Sequence, residues 1–163
     1  MAIEVKVGES RIVSSGEVLF TRNLGGCVGL ALVEPAKNGA IRKRGLAHIH
    51  YGDLSSEEEK EFLDANILLS DFLFQFTNPK AYVSYVPCRC TRQGYQNGMF
   101  EFIARVLLER GLPLEKVDDL RRYEGNVIDF KDMILKQDKI ITQYRLMGGR
   151  WLNSDLRKGV VLF

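Results

Sequence analysis

The chain has 163 residues, 45% hydrophobic and 27% charged, with 23 Lys and Arg against 21 Asp and Glu and a net charge of +2. That length and composition suit one folded domain and exclude a disordered chain. The near balance of charge gives no argument for nucleic-acid binding, and no apolar run reaches the roughly 20 residues that span a bilayer.

The N-terminal residues Met1-Ala2-Ile3-Glu4-Val5-Lys6 show no basic stretch leading into an apolar one, so no secretory signal and a cytoplasmic location are expected. Ile3, Val5 and Val7 alternate with polar residues, the period of a half-buried strand. Arg11–Val13 and Glu17–Phe20 are short strand candidates around a Ser14-Ser15-Gly16 turn. Cys27–Val33 is almost continuously apolar and reads as a central strand buried on both faces. Residues 34–44, with Pro, Asn, Gly and the run Arg42-Lys43-Arg44, read as a solvated loop, and Gly45–Tyr51 as the next strand.

Ser56 and Glu59 have capping-box spacing ahead of a stripe of Phe62, Ala65, Leu69, Phe72 and Phe76, which predicts a helix ending before Asn78-Pro79. Ala81–Val86 is a strand by its β-branched and aromatic content. A loop with Cys88, Cys90 and Gly94 leads to a second helix, with Met99, Phe102, Ile103, Val106 and Leu107 inward and Gly111 at its end. Beyond Leu114 the pattern weakens; Asn126–Phe130, Lys139–Thr142 and Gly159–Phe163 are strand candidates. The fold class is α/β: a single-domain sandwich over 1–163 with a mixed sheet, a β-rich N-terminal half and two main helices packed on it.

Three residues carry candidate chemistry. Two glycines precede Cys27 at the entrance to an apolar strand, a turn able to aim a thiol and a backbone N–H at a bound carbonyl. The two histidines, His48 and His50, share one strand and one face of it. An imidazole beside a thiol takes its proton and supplies a thiolate nucleophile. His48 is read as that base and His50 as a structural residue. Thr21, at a strand end upstream, has a hydroxyl suited to holding the other ring nitrogen of His48. Cys88-x-Cys90 with the two histidines would make a Cys₂His₂ zinc set, but the spacing is atypical and would consume the base. Unremarkable loop thiols are the simpler reading.

Thr21-x-x-Leu24-Gly25-Gly26-Cys27, an apolar strand and then Gly45-Leu46-Ala47-His48 resemble the chemotaxis receptor glutamine deamidases (CheD), as do Val7-Gly8-Glu9 and Gly16–Leu19. The Leu-x-Gly-Cys segment is also similar to bacterial deamidase toxins of the cytotoxic necrotizing factor type. The resemblance covers the first third of the chain. It departs where Gly26 replaces the family's Ser, at Val86–Cys90 and beyond Arg121. It implies a Cys27–His48–Thr21 triad that deamidates glutamine on a protein without a cofactor, with glutamyl methyl ester hydrolysis also allowed. It further implies a chemoreceptor cytoplasmic helix as substrate and a chemotaxis phosphatase as partner, without membrane insertion. The rival reading is a catalytically silent module that only docks on such a phosphatase or receptor. The cations Arg22, Arg42, Lys43, Arg44, Arg89 and Arg92 are expected either to favour an acidic setting for the target glutamine or simply to keep the loops soluble.

Overall fold

The computed structural model describes residues 1–24, 27–38, 40–50, 58–87, 94–112 and 114–158. Two sheets and two helices account for most of them. The larger sheet runs in the order β1 (Ala2–Glu4), β3 (Val18–Thr21), β9 (Asn126–Leu135), β10 (Ile140–Leu146) and β11 (Trp151–Asp155), with the two-residue β8 (Arg122–Tyr123) paired to β9. The second runs β2 (Ser10–Val13), β5 (Ile41–His50), β4 (Cys27–Pro35), β6 (Lys80–Tyr85) and β7 (Leu114–Asp118). Helices α1 (Glu58–Phe74) and α2 (Gly94–Glu109) complete an α/β sandwich.

Side chains alternate along a strand, so each face of the β4–β5 pair meets a different layer. Val28, Leu30, Leu32, Ala47 and Ile49 pack with Leu69, Phe72 and Ile103 of the helices. Cys27, Ala31, Val33 and Leu46 point the other way, onto Leu19, Met133 and Leu135 of the larger sheet. The stacking order is helices, five-stranded sheet, larger sheet. Gly45 makes this possible at one crossing, since a Cβ there would lie 2.5 Å from the Phe72 ring.

The expected α1 stripe is present, with Ala65, Leu69, Phe72 and Phe76 buried and Phe62 half-buried. At the end of α2, Gly111 has φ +71°, and the Leu112 N–H donates to the Leu107 carbonyl at 2.8 Å. The first strand is shorter than its alternation suggests: Val5 is buried, but Val7 is exposed beyond the strand end. The 34–44 loop contracts to a short connection, because Ile41–Arg44 belong to β5. Arg44 is buried and donates to the carbonyls of Ser15 and Glu17, while Arg42 pairs with Glu34 across the hairpin. Charges that look solvated in the sequence are thus bound by neighbouring segments, Arg44 by the β2–β3 connection and Arg42 by β4. β7 and β11 carry little strand signal, and Ser56, Cys88, Cys90 and Gly159–Phe163 lie outside the described residues. No described helix is long and apolar enough to cross a membrane.

Candidate active site

The β4–β5 ladder fixes the geometry. Cys27 is directly opposite His50 and Gly29 directly opposite His48, so both histidines share a face with the thiol. His48 is the diagonal neighbour of Cys27, a spacing of about 7–8 Å between backbones that aromatic side chains still reach across. Gly29 matters here: a Cβ would meet Leu24 at 2.9 Å and the Met133 sulfur at 3.2 Å. Its bare backbone lets Leu24, fully buried, anchor the segment leading to Cys27. That segment turns at Asn23, which has φ +59° and donates its N–H to Asp132 Oδ1 at 2.9 Å. Gly25 and Gly26 lie outside the described residues.

Thr21 reaches the same face from the other sheet. Its Oγ1 is 2.7 Å from the Val5 carbonyl oxygen and 2.6 Å from His48 Nδ1. A carbonyl can only accept, so the hydroxyl proton goes to Val5. The threonine oxygen must then accept the Nδ1–H of His48. This sets the tautomer and leaves the lone pair on Nε2, which is buried and has no hydrogen-bond partner among the described residues. The His48 backbone is held as well, its N–H donating to the Glu9 carbonyl at 3.0 Å and its carbonyl accepting from Gly8 at 2.9 Å.

His48 is 2% exposed. Burial between the sheets lowers its imidazole to about 4, His50 pushes in the same direction, and the nearby Val5 carbonyl, which favours the protonated ring, opposes both. His48 is therefore neutral in the folded protein at neutral pH, the form that accepts a proton. The unfolded chain protonates His48 near its ordinary 6.5, whereas the native state resists until about 4. Stability should thus fall as pH drops through that window, by about 3 kcal/mol in all, and be unaffected by this group above it. Urea denaturation between pH 7 and 4 checks this; His48→Gln should flatten the slope, and an unchanged slope would refute the assignment.

The structure brings Thr21 and His48 into contact and places Cys27 and His48 on adjacent strands with a common face. It also places His50, read from the sequence as structural, against the nucleophile: Nδ1 is 3.7 Å from Cys27 Sγ. Cys27 is 6% exposed, while His50 is exposed. Alternation shows that the two histidines share a face; only the register shows which one stands opposite the thiol.

No protein-family model matches the chain, and no curated protein matches it.

The basic run expected at the rim is elsewhere. Arg44 pairs with Val33 and Lys43 with Glu34, at the far end of the hairpin from Cys27, roughly 20 Å along the strand. Lys43 Nζ donates to the Gln75 carbonyl. Of the described cations expected around the target, Arg22 remains near the nucleophile in sequence, its guanidinium 5.1 Å from the Phe20 ring centre. Arg89 and Arg92 lie outside the described residues, as do the two thiols of the zinc alternative. Among the described residues no three His, Cys, Asp or Glu side chains are grouped to hold a metal ion.

Proposed function

We propose that this protein is a cysteine-dependent amide hydrolase that converts glutamine side chains on other proteins to glutamate. The observation that carries the reading is the Thr21–His48 contact at 2.6 Å, which orients a neutral imidazole beside the strand that bears Cys27. A merely structural histidine does not need its second nitrogen held bare and buried on the face of a thiol. In this reading Nε2 of His48 takes the Cys27 proton, and the thiolate attacks the carboxamide carbon, forming a C–S bond as the π pair moves to oxygen. Collapse of that adduct expels ammonia, which carries away the proton from His48. Water then attacks the thioester, giving a proton to Nε2; the C–S bond breaks and the proton returns to sulfur. The same face would serve a glutamyl methyl ester.

The substrate class follows from the setting and from the likeness to the chemotaxis receptor deamidases: an exposed glutamine on a helical receptor segment, in the cytoplasm, with a chemotaxis phosphatase as a candidate partner. Ammonia release from a folded chemoreceptor fragment should greatly exceed release from free glutamine or short glutamine peptides. Equal rates on free glutamine would make the protein a metabolic amidase instead, and no release from any of them would favour a silent docking module.

Thr21→Val keeps the shape of the side chain but removes the hydroxyl. It should lower turnover by about 10²-fold, less than loss of the nucleophile, because it misorients the base without deleting it. It should also cost about 1–3 kcal/mol of stability, since the Val5 carbonyl and His48 Nδ1 lose a buried partner. Thr21→Ser should restore most of both, and its failure to do so would show that the methyl group, not the hydroxyl, is what matters.

A further inference from the structure

Activating Cys27 requires somewhere to put its proton, and the two histidines differ in what they offer. On His48 the proton would create a cation between two sheets, at a ring 2% exposed. On His50 the cation would sit in water, on a ring whose Nδ1 is already 3.7 Å from the sulfur. Burial of a charge without a matched partner is costly, whereas an exposed imidazolium keeps its hydration. The cross-strand pairing holds His50 directly opposite Cys27.

We propose that His50 is a second catalytic base that takes the Cys27 proton in the first half of the cycle, leaving His48 to serve the water step. This rests on the reading of Cys27 as the nucleophile and puts His50 in the place of His48 for the first proton transfer and the release of ammonia, the water step staying with His48. The S–H bond breaks, its electron pair stays on sulfur, and the proton moves to Nδ1 of His50, so the total charge is unchanged. After the thiolate adds to the carboxamide, that proton goes to the departing nitrogen and leaves in ammonia. The attacking water then gives its proton to Nε2 of neutral His48; hydroxide adds, the C–S bond breaks, and the proton passes from His48 to the sulfur.

Among the described residues, the titratable groups placed about His50 are Cys27 of β4, His48 of its own strand and Asp64 of α1. Asp64 and His50 both line a cavity of about 260 Å³. Glu9, on the β1–β2 connection that supports His48, is turned to Arg11 and the Lys6 N–H.

The test is the rate at which iodoacetamide alkylates Cys27, followed by peptide mapping so that Cys88 and Cys90 are counted separately. It needs no substrate. In the wild type a thiolate should persist at about pH 6, well below the ~8.5 of a model thiol. His50→Gln should lower the rate at about pH 6 by tenfold or more while leaving the rate at about pH 9.5, where the thiol ionises unaided, within about twofold. The high-pH rate shows that the thiol is accessible, and circular dichroism of the same sample shows that the variant is folded. The loss at low pH should be larger in His50→Gln than in His48→Gln. The reverse order would overturn the role of His50 and leave His48 as sole base, with the nucleophile intact. A wild-type profile that follows a model thiol would overturn both this proposal and the hydrolase reading it rests on.

Discussion

Cys27→Ser is expected to lower amide hydrolysis by at least about 10⁴-fold while the protein stays folded. Serine differs from cysteine by one atom, and Cys27 sits at the first residue of β4, where a hydroxyl meets the exposed His50 rather than a sealed apolar wall. Packing should barely change. The chemistry changes completely, because an alcohol holds its proton far more tightly than a thiol, and neither imidazole is a strong enough base to remove it unaided. Removing a nucleophile from a site that acts as a unit removes nearly all its advantage, and what remains comes from binding and orientation. Ammonia release and circular dichroism on the same sample check this. Turnover within tenfold of wild type would mean that another residue attacks the amide.

The largest effect on stability is expected away from the site, at the salt bridge that ties the two sheets together. Asp118, at the end of β7, and Lys131, in the middle of β9, have fully buried side chains 3.1 Å apart. Lys131 Nζ donates to the carbonyls of Tyr85 at 2.7 Å and Asp118 at 3.2 Å as well as to the carboxylate, so its three protons are placed. The carboxylate accepts further bonds from Ser84 Oγ, Tyr144 OH and the Leu120 N–H. Burial pulls the Lys131 ammonium below its ordinary value, and the Asp118 carboxylate opposes that. Such a pair adds little net stability over an apolar replacement, but breaking it leaves a buried charge with no counter-charge. Asp118→Ala should therefore cost about 3–5 kcal/mol in urea denaturation, and the double variant Asp118→Leu, Lys131→Met should recover most of it. A loss under about 1 kcal/mol in the single variant would show that water reaches Lys131. Since Lys131 bonds the carbonyl of Tyr85, the last residue of β6, which pairs with Val28 next to Cys27, the single variant should also disturb the start of β4.

This pair explains why the C-terminal third was hard to read. Lys131 looks like an ordinary surface lysine within Asn126–Leu135, and its partners lie 13 and 46 residues earlier in the chain. The inward positions of β10 are Ile140, Thr142, Tyr144 and Leu146, and β11 turns Ser154 inward, so polar residues interrupt the apolar alternation on the buried face. Local pattern signals strands where burial is apolar, as at Cys27–Val33 and Ala81–Tyr85, and loses them where burial is polar. The same holds for Arg44, a buried cation whose guanidinium is bonded to the Ser15 and Glu17 carbonyls. The site was legible to a different degree. The Gly-Gly-Cys turn, the histidine strand and the upstream threonine stand out as residues, and the Thr21–His48 contact expected of them is present. The pairing of Cys27 with His50 rather than His48 is a matter of register between β4 and β5, which no residue in either strand encodes by itself.

The central claim is that a thioester forms on Cys27, and hydroxylamine tests it most directly. With the folded receptor fragment as substrate, hydroxylamine should intercept the thioester and place a hydroxamate on the target glutamine at the expense of glutamate. Mass spectrometry of the fragment reads both products. The wild type is expected to give hydroxamate and Cys27→Ser to give neither product. Glutamate as the sole product, undiminished by hydroxylamine and still made by Cys27→Ser, would contradict a covalent route through Cys27.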